Sequence, residues 1–231
     1  MIHCNGVHHL AISTGDIKAQ IEFFNDVLGM ELVALYWMHG VEGAWHGFMK
    51  MNDHSSIAFV QTPDIAKIDR VLGVSHSGSP GAPSAAGTMQ HLAFNVDSFA
   101  ELLAMRDRIR SRGITVVGPI HHGLCDSIYF AGLEDLSLEV ATSESAIDGR
   151  AWIDPEVVAL AGISPAELAR FRQPAEFATR AGAVPQPPVD KAKPWMRGWP
   201  AGVLEHFVAM PDAEFTASMS ETEPPVKVER S

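Results

Sequence analysis

Apolar residues along the first two thirds of the chain fall into two alternating arrangements, short runs with period two and longer stretches at helical spacing. The run His9-Leu10-Ala11-Ile12-Ser13-Thr14 leads through Asp16 into 17–28, where Ile17, Ile21, Phe24, Val27 and Leu28 recur roughly as on a helix and Gly29 supplies the stop. The same order returns 82 residues later, from His9 to His91. There His91-Leu92-Ala93-Phe94-Asn95-Val96 leads through Asp97 into a helix over 99–112, with Leu102, Leu103, Met105 and Ile109 in the matching places and Gly113 as its stop. Strand-like segments bounded by turn residues follow each helix, at 31–38, 44–51 and 56–61 and then at 114–118, 127–131 and 136–141. Each half therefore reads β-α-β-β-β. The expected class is α+β: paired βαβββ modules, about 5–65 and 88–145, forming a curved mixed sheet around a cleft.

Two regions break the pattern. Residues 75–88, SHSGSPGAPSAAGT, are small and turn-rich and predict a joining loop or lid. Of the 15 prolines, 11 lie from Pro155 onward, which argues against further sheet, so the chain divides into a two-module domain over 1–146 and a C-terminal region over 147–231. Within the latter, Ser164, Pro165 and Glu167 form a capping box for a short helix. The stretch holding Trp195 and Trp199 is expected to be an extended arm docked on the body or on a second subunit, which makes a homodimer the expected assembly.

Charge and composition narrow the partners. Seventeen Lys plus Arg against 28 Asp plus Glu leave a formal charge of -11, so there is no basic field to gather nucleic acid or an anionic membrane surface. No apolar run approaches the roughly 20 residues of a spanning helix, and a cytoplasmic location is expected. Cys4 and Cys125 are too few for a disulfide framework and are expected to be unbridged.

Two histidines at matching points of a repeat, each opening an apolar strand, are brought toward one another by pseudo-symmetry. Glu139, inside Leu136-Ser137-Leu138-Glu139-Val140-Ala141, is a carboxylate among strand apolar residues, costly to bury unless paired or metal-bound. Two imidazoles and one carboxylate leave adjacent positions of a cation open, the facial arrangement of non-haem Fe(II) oxygenases. His9, His91 and Glu139 are the candidate ligands, for Fe(II) with Mn(II) as the other metal sharing these ligand types. His8 competes with His9 for this place, and the repeat alignment favours His9.

The repeat and the segments HHLAIST, QHLAFNVD and SIYFAGLEDLSLEVAT resemble the vicinal oxygen chelate superfamily, which includes glyoxalases, epimerases, antibiotic-resistance proteins and type I extradiol ring-cleaving dioxygenases. The resemblance covers about residues 5–145. His122, Ile128-Tyr129 and Glu139 are similar in order and spacing to the dioxygenase signature, although Gly132-Leu133-Glu134-Asp135 stands where that signature has an acidic residue, proline, any residue and glycine. His54, in Asp53-His54-Ser55-Ser56-Ile57-Ala58-Phe59, resembles the active-site histidine that these enzymes place before the last strand of the first module.

The resemblance implies an aromatic diol as substrate, dioxygen as co-substrate and ring cleavage beside the diol. It implies acid–base work for His54, a hydrogen bond from Tyr129 to a substrate oxygen, and support of that oxygen by His122. His121 competes with His122, because strand neighbours point to opposite faces. Trp37, Trp45 and Phe48 are candidates for an aromatic wall, while His39, His46, His76 and His206 have no evident partner. Two other readings stay open. One is an isomerase or epimerase in which Gln61 is a fourth ligand to Zn, Ni or Co, and the other is a binding protein that holds a small aromatic compound without turnover.

Overall fold

The computed structural model describes residues 3–146, 148–177 and 182–227. These form two compact units, the first comprising His3–Met38 and Gly43–Ala175. In it the first module runs β1 (His9–Ser13), α1 (Ile17–Asp26), β2 (Glu31–Trp37), β3 (Trp45–Asn52) and β4 (Ser55–Gln61). The second runs β5 (Leu92–Asn95), α2 (Phe99–Ser111), β6 (Val116–His121), β7 (Asp126–Ala131) and β8 (Ser137–Thr142). The curved mixed sheet expected across the pair takes the form of two four-stranded sheets, ordered β1-β4-β3-β2 and β5-β8-β7-β6. In each, the first strand pairs parallel with the last and the remaining pairs are antiparallel.

Local chemistry explains the helices. Asp16 accepts from the Ala19 amide at 3.0 Å and Ser98 from the Glu101 amide at 3.2 Å, each capping its helix start. Gly29 and Gly113 then take φ values of 77° and 76° just beyond the helix ends, where a side chain would be strained. Each helix covers one face of its sheet: Ile12, Phe24, Ile57 and Phe59 of the first module share a buried core with Phe94, Leu102, Leu138 and Val140 of the second. The Phe24 and Phe94 rings meet edge to face at 6.1 Å, so the two modules share one apolar interior.

The turn Gly132-Leu133-Glu134-Asp135 has a structural use. Glu134 and Asp135 sit at φ 54° and 61°, and Glu134 reaches the first module, accepting from the Gly15 amide at 2.8 Å and the Gln20 side-chain amide at 2.9 Å. Arg70 closes the contact, 3.5 Å from Asp135 and 3.8 Å from Glu134. On the other side, Arg108 of α2 donates to the Val27 carbonyl beyond the end of α1 at 2.9 Å. The modules are thus held by polar clasps on either side of the shared core.

Between β4 and β5 lies a short 3-10 turn, Ile65–Lys67, and then the expected loop, tied down where Gln90 donates to the Ser79 and Ala82 carbonyls at 3.1 and 3.2 Å. After β8 come a 3-10 turn, Gly149–Trp152, and two helices, α3 (Pro155–Leu160) and α4 (Pro165–Arg172), the latter with both halves of the Ser164–Glu167 capping box. The second unit consists of His39–Glu42 and the described residues of 176–231. The C-terminal arm also carries α5 (Val203–Ala209) and α6 (Asp212–Met219), because Trp199, Phe207 and Phe215 pack edge to face at 5.4 and 5.5 Å as a small apolar cluster. Among the described residues no helix is long and apolar enough to cross a membrane, and both cysteines are unbridged.

Burial alone would push the Glu134 carboxyl up, but hydrogen bonds from Thr14, Gln20 and the Gly15 amide, with the Arg70 charge, outweigh it and hold it below the usual carboxylate range. Its contribution to stability is therefore complete above the ordinary carboxylate range and is lost as pH falls through the depressed folded value. Glu134→Gln should lower stability in urea unfolding by about 1–2 kcal/mol at neutral pH. The gap to wild type should narrow on acidification, and a gap constant with pH would contradict this role for the charge.

Candidate metal centre

Strand alternation decides which side chains leave the helix-packed core. In the second sheet Leu138 and Val140 point to the core, so Glu139 points to the opposite, helix-free face, and Tyr129, its cross-strand partner, shares that face. His91 immediately precedes β5, and its Nε2 lies 2.9 Å from the Glu139 carboxylate. The other ring nitrogen, Nδ1, contacts the Gln90 side-chain oxygen, which fixes the ring's orientation. The Tyr129 hydroxyl lies 3.0 Å from His122 Nε2, and the rings of Tyr129 and His91 are 6.4 Å apart. Glu139, His91, Tyr129 and His122 form one polar chain across β5, β8, β7 and the β6–β7 loop.

His121 is separated from this group. It contacts the Asp126 carboxylate and stacks on Phe99 of α2 at 5.6 Å, so it belongs to the helix side and His122 to the site. Glu139 is only 4% exposed, and its ion-pair partner among the described residues is His91 rather than any lysine or arginine. A buried carboxylate whose neighbours are an imidazole and a phenol suits a divalent metal that takes nitrogen and oxygen donors. Burial first, and then the nearby Glu139 charge, push the Tyr129 phenol above its ordinary value despite an opposing hydrogen bond from Ser127. Tyr129 therefore stays a protonated donor at neutral pH.

His9 occupies the corresponding start of β1, on the helix-free face of the first sheet. Its ring lies 5.4 Å from Phe48 and 6.4 Å from His46, and its Nδ1 is 2.9 Å from that of His8. Among the described residues no three His, Cys, Asp or Glu side chains are gathered closely enough to hold an ion, so the structure assembles His91 with Glu139 but leaves His9 outside that pair. A cavity of about 680 Å³ opens at the module junction between Ile12, Ser13, Arg70, His76, Glu134 and Leu136, and neither His91 nor Glu139 lines it.

A family model described as the Glyoxalase/Bleomycin resistance protein/Dioxygenase superfamily matches residues 6–137. The chain belongs to this superfamily. A biphenyl-2,3-diol 1,2-dioxygenase from Rhodococcus globerulus is 37% identical over 123 residues, 53% of this chain and 54% of that protein, so the chain spans about half the length of this curated relative. Similar solved structures include a glyoxylase/bleomycin resistance protein/dioxygenase domain from Frankia sp., 13% identical, covering 61% of this chain and 99% of that one, with a TM-score of 0.47. A lactoylglutathione lyase from Agrobacterium tumefaciens is 19% identical, covering 61% and 96%, with a TM-score of 0.42.

Two expectations about this superfamily member need correction. Gln61 is not placed to ligate: it falls on the helix side of β4 with Ile57 and Phe59, and its side-chain oxygen accepts from the Ile17 amide at 2.7 Å at the start of α1. The position equivalent to Glu139 is Ala58, because Ala11 pairs with Ala58 as Ala93 pairs with Glu139. Trp37 and Trp45 likewise leave the proposed wall, since they pair with each other on the face that Gln61 shares. Their places beside Phe48 go to Tyr36 and His46. Sequence reasoning assigned His46 no partner; its period-two relation to Phe48 on the same strand was the available signal.

His54 is exposed in the turn between β3 and β4, with its backbone amide donating to the Asn52 side chain at 2.9 Å. It lies at the end of the sheet where Ser56 pairs with His9.

The chain has two tyrosines, so Tyr36→Phe leaves Tyr129 alone for ultraviolet titration. Its midpoint should lie above the ordinary phenol value of about 10, and stability should fall with rising pH past that value, where the unfolded chain ionises first. Adding Glu139→Gln should bring the midpoint part of the way back, because the charge is removed and the burial is not. A midpoint unmoved by Glu139→Gln would contradict the placement of the phenol beside the carboxylate.

Proposed function

We propose that the chain is an Fe(II)-dependent extradiol-type dioxygenase that cleaves the ring of a catecholic or related aromatic diol. The observation that carries the reading is the polar chain of His91, buried Glu139, Tyr129 and His122 on one helix-free sheet face. The 37% identity to a biphenyl-2,3-diol 1,2-dioxygenase over 123 residues supports the same chemistry. His91 and Glu139 would hold the metal, with His9 as the third ligand from the equivalent position of the first module. Bound Fe(II), or Mn(II), would supply coordination sites for the two diol oxygens and for dioxygen, and the electron transfer between them.

The chain's own groups do the rest. The Tyr129 hydroxyl donates a hydrogen bond to a diol oxygen and orients the ring. His122, 3.0 Å from that hydroxyl, can donate its Nε2–H to the phenolic oxygen and so leave the Tyr129 proton free for the diol. His54, at the His9 end of the first sheet, serves as an acid–base group. Phe48, Tyr36 and His46 offer an aromatic surface to the substrate ring. The isomerase alternative has less support, because Gln61 is engaged by α1 and Ala58, at the position equivalent to Glu139, offers no donor atom.

Metal-stripped protein reloaded with Fe(II) or Mn(II) should consume dioxygen in proportion to added diol across a panel of substituted catechols and hydroquinones. Reloading with Zn(II) should give no uptake, and Glu139→Gln should abolish it. Tyr129→Phe should slow turnover by about 10²–10⁴-fold while leaving metal content unchanged. Tight binding of an aromatic diol that survives Glu139→Gln without turnover would instead support the non-catalytic binding protein.

A further inference from the structure

We infer that Trp152 is a positioning residue for His122, clamping the β6–β7 loop from a segment beyond the paired modules. The inference rests on the roles proposed above for His122 and Tyr129.

The loop is a tight connection in which His121 and Asp126 end the two strands as a register pair. The His122 amide donates to the Cys125 carbonyl at 2.8 Å, and Gly123 takes a φ of 77°, the left-handed region that favours glycine. A second demand falls on the same glycine. A Cβ added there would collide with Cζ2 of Trp152 and lie 2.6 Å from its Cη2, so the indole edge rests directly on the bare Cα. One residue further, Leu124 reaches the other end of the 3-10 turn, with its Cδ1 3.6 Å from where a Cβ on Gly149 would stand. The Gly149–Trp152 turn therefore lies across the loop and touches it at two consecutive residues.

The turn is itself held in shape. The Asp148 side chain accepts from the Arg150 amide at 3.0 Å and its carbonyl from the Ala151 amide at 2.9 Å, while Asp154 caps α3 immediately after. Trp152 remains 50% exposed and is not part of the modules' shared core. His122 is also exposed, and its ring's hydrogen-bond partner is the Tyr129 hydroxyl. With so little holding the ring, its aim depends on the backbone that carries it. A wandering loop would take Nε2 out of reach of the hydroxyl, where an error of about 1 Å is already costly to the orientation of a substrate-binding group.

The test uses the full chain and needs neither metal nor diol. In wild type, Tyr129→Phe should shift the His122 ring resonances. With Trp152→Ala that shift should vanish, and amide exchange of the 122–125 loop should quicken by about tenfold or more while β7 and β8 stay protected. Trp152→Phe, which keeps an aromatic edge over Gly123, should restore both the coupling and the protection. Should Trp152→Ala leave loop exchange and the Tyr129–His122 coupling as in wild type, the inference is overturned. The same holds if Trp152→Phe behaves like Trp152→Ala. Because these readouts involve no turnover, they stand or fall separately from the dioxygenase reading.

Discussion

A carboxylate that is 4% exposed in the middle of a strand needs a partner, and Glu139 is the constraint on which the site depends. Its strand neighbours Leu138 and Val140 are committed to the apolar core, so register sends its side chain to the opposite face. There it meets an imidazole and, across the strand pair, a phenol. The rest of the second module can be read as support for that placement. Gln90 orients the His91 ring, Phe99 and Asp126 hold His121 on the other face, and the β6–β7 loop carries His122 to the phenol.

The two modules share a plan but not a chemistry. Ala58 stands where the repeat puts Glu139, while the first module's helix-free face carries His9, His46 and Phe48. This asymmetry is what separates the proposed chemistry from a site in which both modules supply equivalent ligands. On that face the first module presents an imidazole and aromatic surface where the second presents a carboxylate and a phenol.

Much of the fold was legible because it is written twice. The 82-residue repeat, the acidic residues Asp16 and Asp97 and the glycine stops mark both helices to within a residue or two, although Ser98 rather than Asp97 caps the second, and the period-two runs mark the strands. Side-chain direction was harder, since a shift of one residue reverses a strand's faces. Gln61 carries a plausible ligand atom at a strand end, yet only pairing with Trp45 and the proximity of the Ile17 amide show that it faces α1. The same parity moved Trp37 and Trp45 off the wall and brought in His46, and it decided between His121 and His122. Glu134 was legible only as a departure from a motif, because its role is a contact between modules more than a hundred residues apart in sequence. The helices of the C-terminal arm were missed for a related reason: they rest on a local cluster of Trp199, Phe207 and Phe215, whose spacing follows no single period.

The central claim is that one metal is shared by His9, His91 and Glu139. The direct measurement is Fe(II) stoichiometry and affinity under anaerobic conditions for wild type, His9→Ala, His91→Ala and Glu139→Gln. The account predicts one ion per wild-type chain and a loss of more than about 100-fold in affinity for each variant. Wild-type affinity in His9→Ala alongside its loss in the other two would contradict a centre built from both modules.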